Sequence, residues 1–114
     1  MRLAVWNSRG LGNGPAIQGL LDLQKREDPD VIFLCETKMK EGRINWLRWK
    51  LGMPNMVVKD CEGLSGGLAL FWKNSVNLKA GLKLKYHIDV EITEEDGFIW
   101  RFTGIYGEPK SDAK

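Results

Sequence analysis

The chain has 114 residues, 43% hydrophobic and 28% charged, a composition that fits one folded domain and excludes a disordered chain. A formal net charge of only +2 excludes a strongly basic coat protein whose affinity rests on phosphate neutralisation alone. No apolar run approaches the ~18 residues of a membrane span, and no signal peptide precedes the first apolar run at Leu3, so an intracellular protein, nuclear or cytoplasmic, is expected.

Leu3-Ala4-Val5-Trp6 is a short apolar run that reads as a buried strand. Asn7 to Gly14 is a loop by composition, and Pro15 suits the first turn of a helix. Ile17, Leu20, Leu21 and Gln24 share one helical face, Lys25 and Arg26 suit the last turn, and Asp28-Pro29 stops the helix. Val31 to Cys35 is apolar at every position, as in a strand covered on both faces. Strand, helix, strand is a crossover, so the two strands run parallel and end on the same sheet edge.

A second helix is predicted over Glu41 to Leu51, where Ile44, Leu47 and Leu51 recur at i, i+3 and i+7 between Trp46 and Trp49. Met56-Val57-Val58 is a further strand candidate, and Gly66 to Trp72 is a glycine-led apolar strand. From Val76 to Ile92 every even position is apolar or small, and from Asn77 to Thr93 the odd positions are almost all polar. That run is too long for one strand, so a bend or break is expected near Gly81. Asp96-Gly97 signals a hairpin, and the alternation resumes from Phe98 to Tyr106 as the return strand. The tail from Glu108 to Lys114 is polar.

Three polar residues stand at strand ends: Asn7, Glu36 and Tyr106. Ligands of open α/β sheets gather at the carboxyl ends of strands. A carboxylate there can hold a hard cation, an amide can orient a neighbouring group, and a phenol can donate to a phosphoryl oxygen. Each has a plainer reading as well: Asn7 as a turn residue, Tyr106 as part of an aromatic core stripe. Glu36 is the least easily explained away, because an unpaired buried carboxylate is costly. His87 sits between Lys85 and Asp89 on the polar face and reads as solvated, as does the charge cluster Lys38, Lys40 and Arg43. The Gly-Leu-Gly-Asn-Gly loop has neither dinucleotide nor P-loop spacing. Cys35 and Cys61 have no zinc-type spacing; a reducing compartment fits, with one disulfide left open.

Four segments carry a resemblance: Trp6-Asn7-Ser8-Arg9-Gly10-Leu11-Gly12, Asp30 to Lys38, Ser65 to Trp72, and Trp100-Arg101-Phe102-Thr103-Gly104-Ile105-Tyr106-Gly107. In this order and at this spacing they resemble the endonuclease/exonuclease/phosphatase superfamily. Within it they are similar to the apurinic-type endonuclease domain of plant LINE-type (non-LTR) retrotransposons. The resemblance implies an α+β fold, half of a four-layer αββα sandwich: one mixed β-sheet with two helices on one face. It also implies phosphodiester hydrolysis of DNA with Mg²⁺ or Mn²⁺. Glu36 matches the metal-binding glutamate, Asn7 the asparagine that arranges the metal site, and Tyr106 the tyrosine that contacts the scissile phosphate. Arg9 and Lys38 are expected to touch nucleic acid. Arg9 stands where some relatives have aspartate, and the plant elements commonly carry arginine there. His87 and Asp89 match a recurrent His-Ile-Asp stretch of the plant elements, to which no role is assigned.

The family's later Asp-x-Asn and terminal Asp-His have no counterpart: after Tyr106 there is one aspartate, Asp112, and no histidine. Residues 1–114 are therefore expected to be the N-terminal half of such a domain, truncated and inactive alone. Two alternatives remain open, a non-catalytic remnant that binds nucleic acid or protein and a relative of small-molecule phosphatases. An inner sheet face left without its partner sheet is expected to promote self-association.

Overall fold

The computed structural model describes residues 1–12, 14–61, 66–84 and 87–105, with the side chains of 82–84 and 105 excepted. Strand β1 (Leu3–Asn7) lies parallel to β2 (Val31–Cys35), with Leu3 opposite Val31 and Asn7 opposite Cys35. The crossover between them is helix α1 (Gly14–Glu27). Two short helices follow, α2 (Glu41–Ile44) and α3 (Leu47–Leu51), and then β3 (Asn55–Lys59) and β4 (Leu68–Trp72). Antiparallel pairing of β4 with both β2 and β3 completes a mixed sheet in the order β1-β2-β4-β3.

All five residues of β2 are buried. Its even positions, Ile32 and Leu34, pack beneath the helices with Leu20, Ile44, Leu47, Leu51 and Phe71. Its odd positions, Val31, Phe33 and Cys35, face the other way. The α+β class, the mixed sheet and the helices on one of its faces thus match what the sequence implies.

The strands after position 76 do not extend that sheet. Strands β5 (Asn77–Leu84), β6 (His87–Thr93) and β7 (Ile99–Ile105) form a second, antiparallel sheet in that order. Ile88, Val90 and Ile92 are each 1% exposed and lie against Val31, Phe33, Leu68 and Leu70. The inner face expected to lack a partner is therefore covered, which removes the reason given above for self-association. Period-two alternation reports which face of a strand is dry, not which strand lies beside it. The expected irregularity near Gly81 is a register shift between Ala80 and Lys83. The chain then doubles back as β6; Lys85 and Tyr86 lie outside the described residues. The Asp96-Gly97 hairpin forms, with Gly97 at φ 88 and the Glu94 amide donating to the Phe98 carbonyl at 2.8 Å.

The sheets approach closely at Gly104, where a Cβ would overlap the Phe33 ring. Phe102 meets that ring edge-on, with centroids 5.7 Å apart.

The predicted helix over 41–51 is interrupted at Asn45 and Trp46, although both keep right-handed helical dihedrals. The Asn45 carbonyl accepts from the Arg48 amide at 3.3 Å and from Arg48 Nε at 3.2 Å. This three-residue spacing tightens the turn. Gly52, at φ 67, then ends α3 in the left-handed conformation that glycine adopts without strain.

Candidate active site

The parallel register carries Asn7 and Glu36 to the same rim. Asn7 ends β1 opposite Cys35, one residue before Glu36, and paired strands stand about 4.8 Å apart. Three segments are laced together there. The Ser8 amide donates to the Cys35 carbonyl at 3.0 Å, and the buried Ser8 hydroxyl reaches the carbonyls of Cys35 at 3.0 Å and Glu36 at 3.1 Å. The Gly10 amide donates to the Glu36 carbonyl at 2.7 Å, and the Leu11 amide to the Thr37 carbonyl at 3.0 Å. From the other side, Thr37 donates to the Gly67 carbonyl at 3.1 Å and Lys38 to that of Gly66 at 2.8 Å.

These bonds hold three non-glycine residues in the left-handed region: Arg9 at φ 51, Glu36 at φ 58 and Lys38 at φ 57. Each such residue stores about 1–3 kcal/mol, and such strain clusters at functional sites. Glu36 is half-buried, and among the described residues its carboxylate takes no hydrogen bond or ion pair. Asn7 is exposed, and its Oδ1 accepts from the Arg9 amide at 3.1 Å, so the turn role read as the plainer alternative is real. An amide oxygen has a second lone pair, which leaves it able to bind elsewhere. Arg9 and Lys38 are exposed on the same rim, and the Lys38 stem runs over Gly10.

Burial pushes the Cys35 thiol up from its ordinary value, and the neighbouring Glu36 charge adds to the effect. Cys35 and Cys61 are both buried and are not joined in a disulfide, which closes the question left open above.

The second sheet ends toward the same rim. The far ends of the two sheets share an open cleft of about 940 Å³ lined by Asp30, Asn77, Thr93, Glu94, Glu95 and Asp96 among others. That puts the His87 end of β6 and the Ile105 end of β7 toward Cys35. Tyr106 and the tail lie outside the described residues. Among the described residues the cleft lining includes four carboxylates and no Lys, Arg or His side chain, which makes it a poor seat for phosphate. On the outer face of the second sheet, Asp89 accepts from Arg101 at 3.1 Å and from Thr103 at 3.0 Å, a structural cross-strand network.

Ser8, Thr37 and Gly67 were not singled out by sequence reasoning, yet they hold the rim. Thr37 is fully buried, and Gly67 (φ +94) approaches so closely that a Cβ would overlap Thr37 Oγ1. The Gly66-Gly67 doublet before an apolar strand was the available signal, since strand glycines often mark close backbone approach. Ser8 falls inside the Trp6-to-Gly12 segment, but no local pattern marks its hydroxyl as a partner of β2.

A divalent cation fits these donors in part. Glu36 and Asn7 offer oxygen ligands, and Mg²⁺ commonly uses one or two carboxylates and keeps several waters. Among the described residues no group of three or more His, Cys, Asp or Glu is placed to hold a metal.

Residues 4–109 match the Endonuclease/Exonuclease/phosphatase family, and the chain belongs to it. No curated protein matches the chain. Among solved structures it is similar to the 3'-5' exonuclease NExo from Neisseria meningitidis, with TM-score 0.66 and 16% identity over 99% of this chain and 46% of that one. The AP endonuclease LMAP from Leishmania major gives TM-score 0.61 and 16% identity over 96% of this chain and 42% of the other. The catalytic domain of Xenopus laevis APE2 gives TM-score 0.59 and 18% identity over 96% and 47%. At these identities the likeness concerns the fold, and this chain spans less than half the length of each of the three. Among the described residues no helix is long and apolar enough to cross a membrane.

Proposed function

We propose that this chain is the N-terminal half of a Mg²⁺- or Mn²⁺-dependent DNA endonuclease of retrotransposon origin and supplies the front part of its active site. Glu36 and Asn7 hold the cation, Tyr106 contacts the scissile phosphate, and Arg9 and Lys38 hold the DNA backbone. The bound cation would polarise a phosphoryl oxygen and stabilise charge developing on it. One observation carries the reading: a parallel strand pair sets Glu36 beside Asn7, with Glu36 strained and its carboxylate unengaged among the described residues. Removal of a proton from the attacking water needs groups this chain does not offer, so the chain alone is expected to be inactive. Among the described residues no group of three or more His, Cys, Asp or Glu is placed to hold a metal, which also favours a second reading, a remnant that binds nucleic acid without cutting it. A structural neighbour from Neisseria is described as a 3' phosphatase bound to product DNA, which keeps a phosphatase relative as the third reading.

Mn²⁺ titration followed by paramagnetic broadening of amide signals tests the site. Broadening is expected at residues 7–10 and 36–38 and is expected to vanish in Glu36→Gln. Broadening confined to the acidic cleft around Asp30 and Glu94 would refute the assignment. In a supercoiled-plasmid nicking assay, the chain and Glu36→Gln should give the same EDTA-insensitive background. Mg²⁺-dependent nicking by the unmodified chain alone would refute its dependence on further residues.

A further inference from the structure

Positive charge is distributed unevenly. Residues 38–50 hold Lys38, Lys40, Arg43, Arg48 and Lys50 against Glu41 alone, a net of +4 in a chain whose total is +2, so the rest of the chain is net −2. All these cations except Arg48 are exposed, and among the described residues no carboxylate pairs with any of them.

The same segment presents two exposed tryptophans. Trp46 is 45% exposed and Trp49 67% exposed, on the side of α2 and α3 opposite Ile44, Leu47 and Leu51, which are buried in the core. At i and i+3 the two rings are neighbours on one helical face. Gly42 lies on that face with open space around its Cα. Each ring already meets a cation: the Arg48 guanidinium stands 4.9 Å from the Trp49 centroid and Lys50 Nζ 6.0 Å from the Trp46 centroid. A ring has two faces, and such exposure leaves area for another planar partner.

We infer that the outer face of α2 and α3 is a docking surface for single-stranded nucleic acid, with bases stacked on Trp46 and Trp49 and phosphates held by Lys40, Arg43 and Lys50. Stacked aromatic rings within a cationic track are how proteins bind single strands without reading sequence. The track begins at Lys38, two residues past Glu36, so a strand lying on it would lead to the rim. A membrane surface fits less well. An interfacial helix inserts a continuous apolar face, and here that face is already buried beneath the helices. The inference rests on residues that the metal site does not use.

The test is fluorescence anisotropy of a labelled oligo-dT titrated with the 114-residue chain, alongside quenching of tryptophan emission. Replacing Trp46 and Trp49 together by Ala should weaken binding by about tenfold or more, since one stacked base contributes ~1–3 kcal/mol. Replacing both by Phe should retain most of the affinity. Arg43→Gln with Lys50→Gln should reduce the slope of log K against log salt by about 1.4, at ~0.7 per phosphate contact on a single strand. Lys79→Gln on the second sheet should leave binding unchanged. Both tryptophans and both cations are exposed, so unchanged melting curves should accompany these losses. Equal binding by the double Ala variant overturns the inference. So does stronger binding to phosphatidylserine vesicles that is lost in the same variants. Either result leaves the Mn²⁺ experiment at Glu36 standing, so the two readings fail separately.

Discussion

The two ends of strand β2 use the same ingredients for different ends. At the Val31 end, Asp28 (φ 44) closes α1, its amide donating to the Gln24 carbonyl at 2.8 Å. The two carboxylates beside the strand share a cation: Lys73 Nζ stands 3.1 Å from Asp28 and 3.6 Å from Asp30. At the Cys35 end, three left-handed non-glycine residues crowd a few positions, and the Glu36 carboxylate has no cation beside it among the described residues. At one end the carboxylates beside the strand have a lysine partner. The other holds its charge in a strained backbone and leaves it open, which is what separates a structural carboxylate from a candidate ligand.

The largest effect is expected where the comparison is most lopsided. Gly67→Ala places a Cβ against Thr37 Oγ1 and 3.1 Å from the Lys38 amide, at φ +94. Thermal or urea unfolding should show a loss of about 3 kcal/mol. Gly52→Ala, also at positive φ but with nothing within 4 Å, should cost only about 1 kcal/mol. Equal losses would mean the rim is no tighter than a helix cap. Next comes Ser8→Ala, which removes a buried hydroxyl shared by two carbonyls and should cost about 1–2 kcal/mol. It should also blur the Mn²⁺ broadening at residues 36–38.

Glu36→Asn should go the other way. Asparagine tolerates the left-handed region, so stability should rise by up to about 1 kcal/mol while Mn²⁺ affinity falls. A destabilised Glu36→Asn would show that the carboxylate supports the fold. Lys73→Met should cost less than about 1 kcal/mol in the same unfolding measurement, because its partner Asp28 is largely exposed. The smallest effect concerns pH. Burial raises the Cys35 thiol in the folded state, so the unfolded thiol ionises first, at about 8.5. Stability from this group is present below that value and is lost as pH rises through the folded pKa. Cys35→Ala should flatten the alkaline limb of a melting-temperature profile.

What the sequence made legible was local. The first crossover, the apolar run of β2, the Ile44-Leu47-Leu51 stripe and the Asp96-Gly97 turn all follow from periodicity and turn chemistry within a few residues. Asn7 and Glu36 were legible together because a βαβ unit has only one sensible arrangement. The assignment of the later strands to a second sheet was not, since it depends on packing between residues such as Phe33 and Ile88 that lie far apart in the chain. The break in the second helix turns on Arg48 competing for one carbonyl, which no periodicity reports. Ser8 and the Thr37 backbone act through partners about 30 residues away, beyond the reach of local pattern.

Gly104 and the Phe33 ring approach so closely that a side chain at 104 would overlap the ring, which ties the two layers together at that point. Beyond it the layers part around the open acidic cleft. Thermal breathing should start at that opening, so amides near Asn77 and Thr93 should exchange with solvent sooner than those of Phe33 and Cys35.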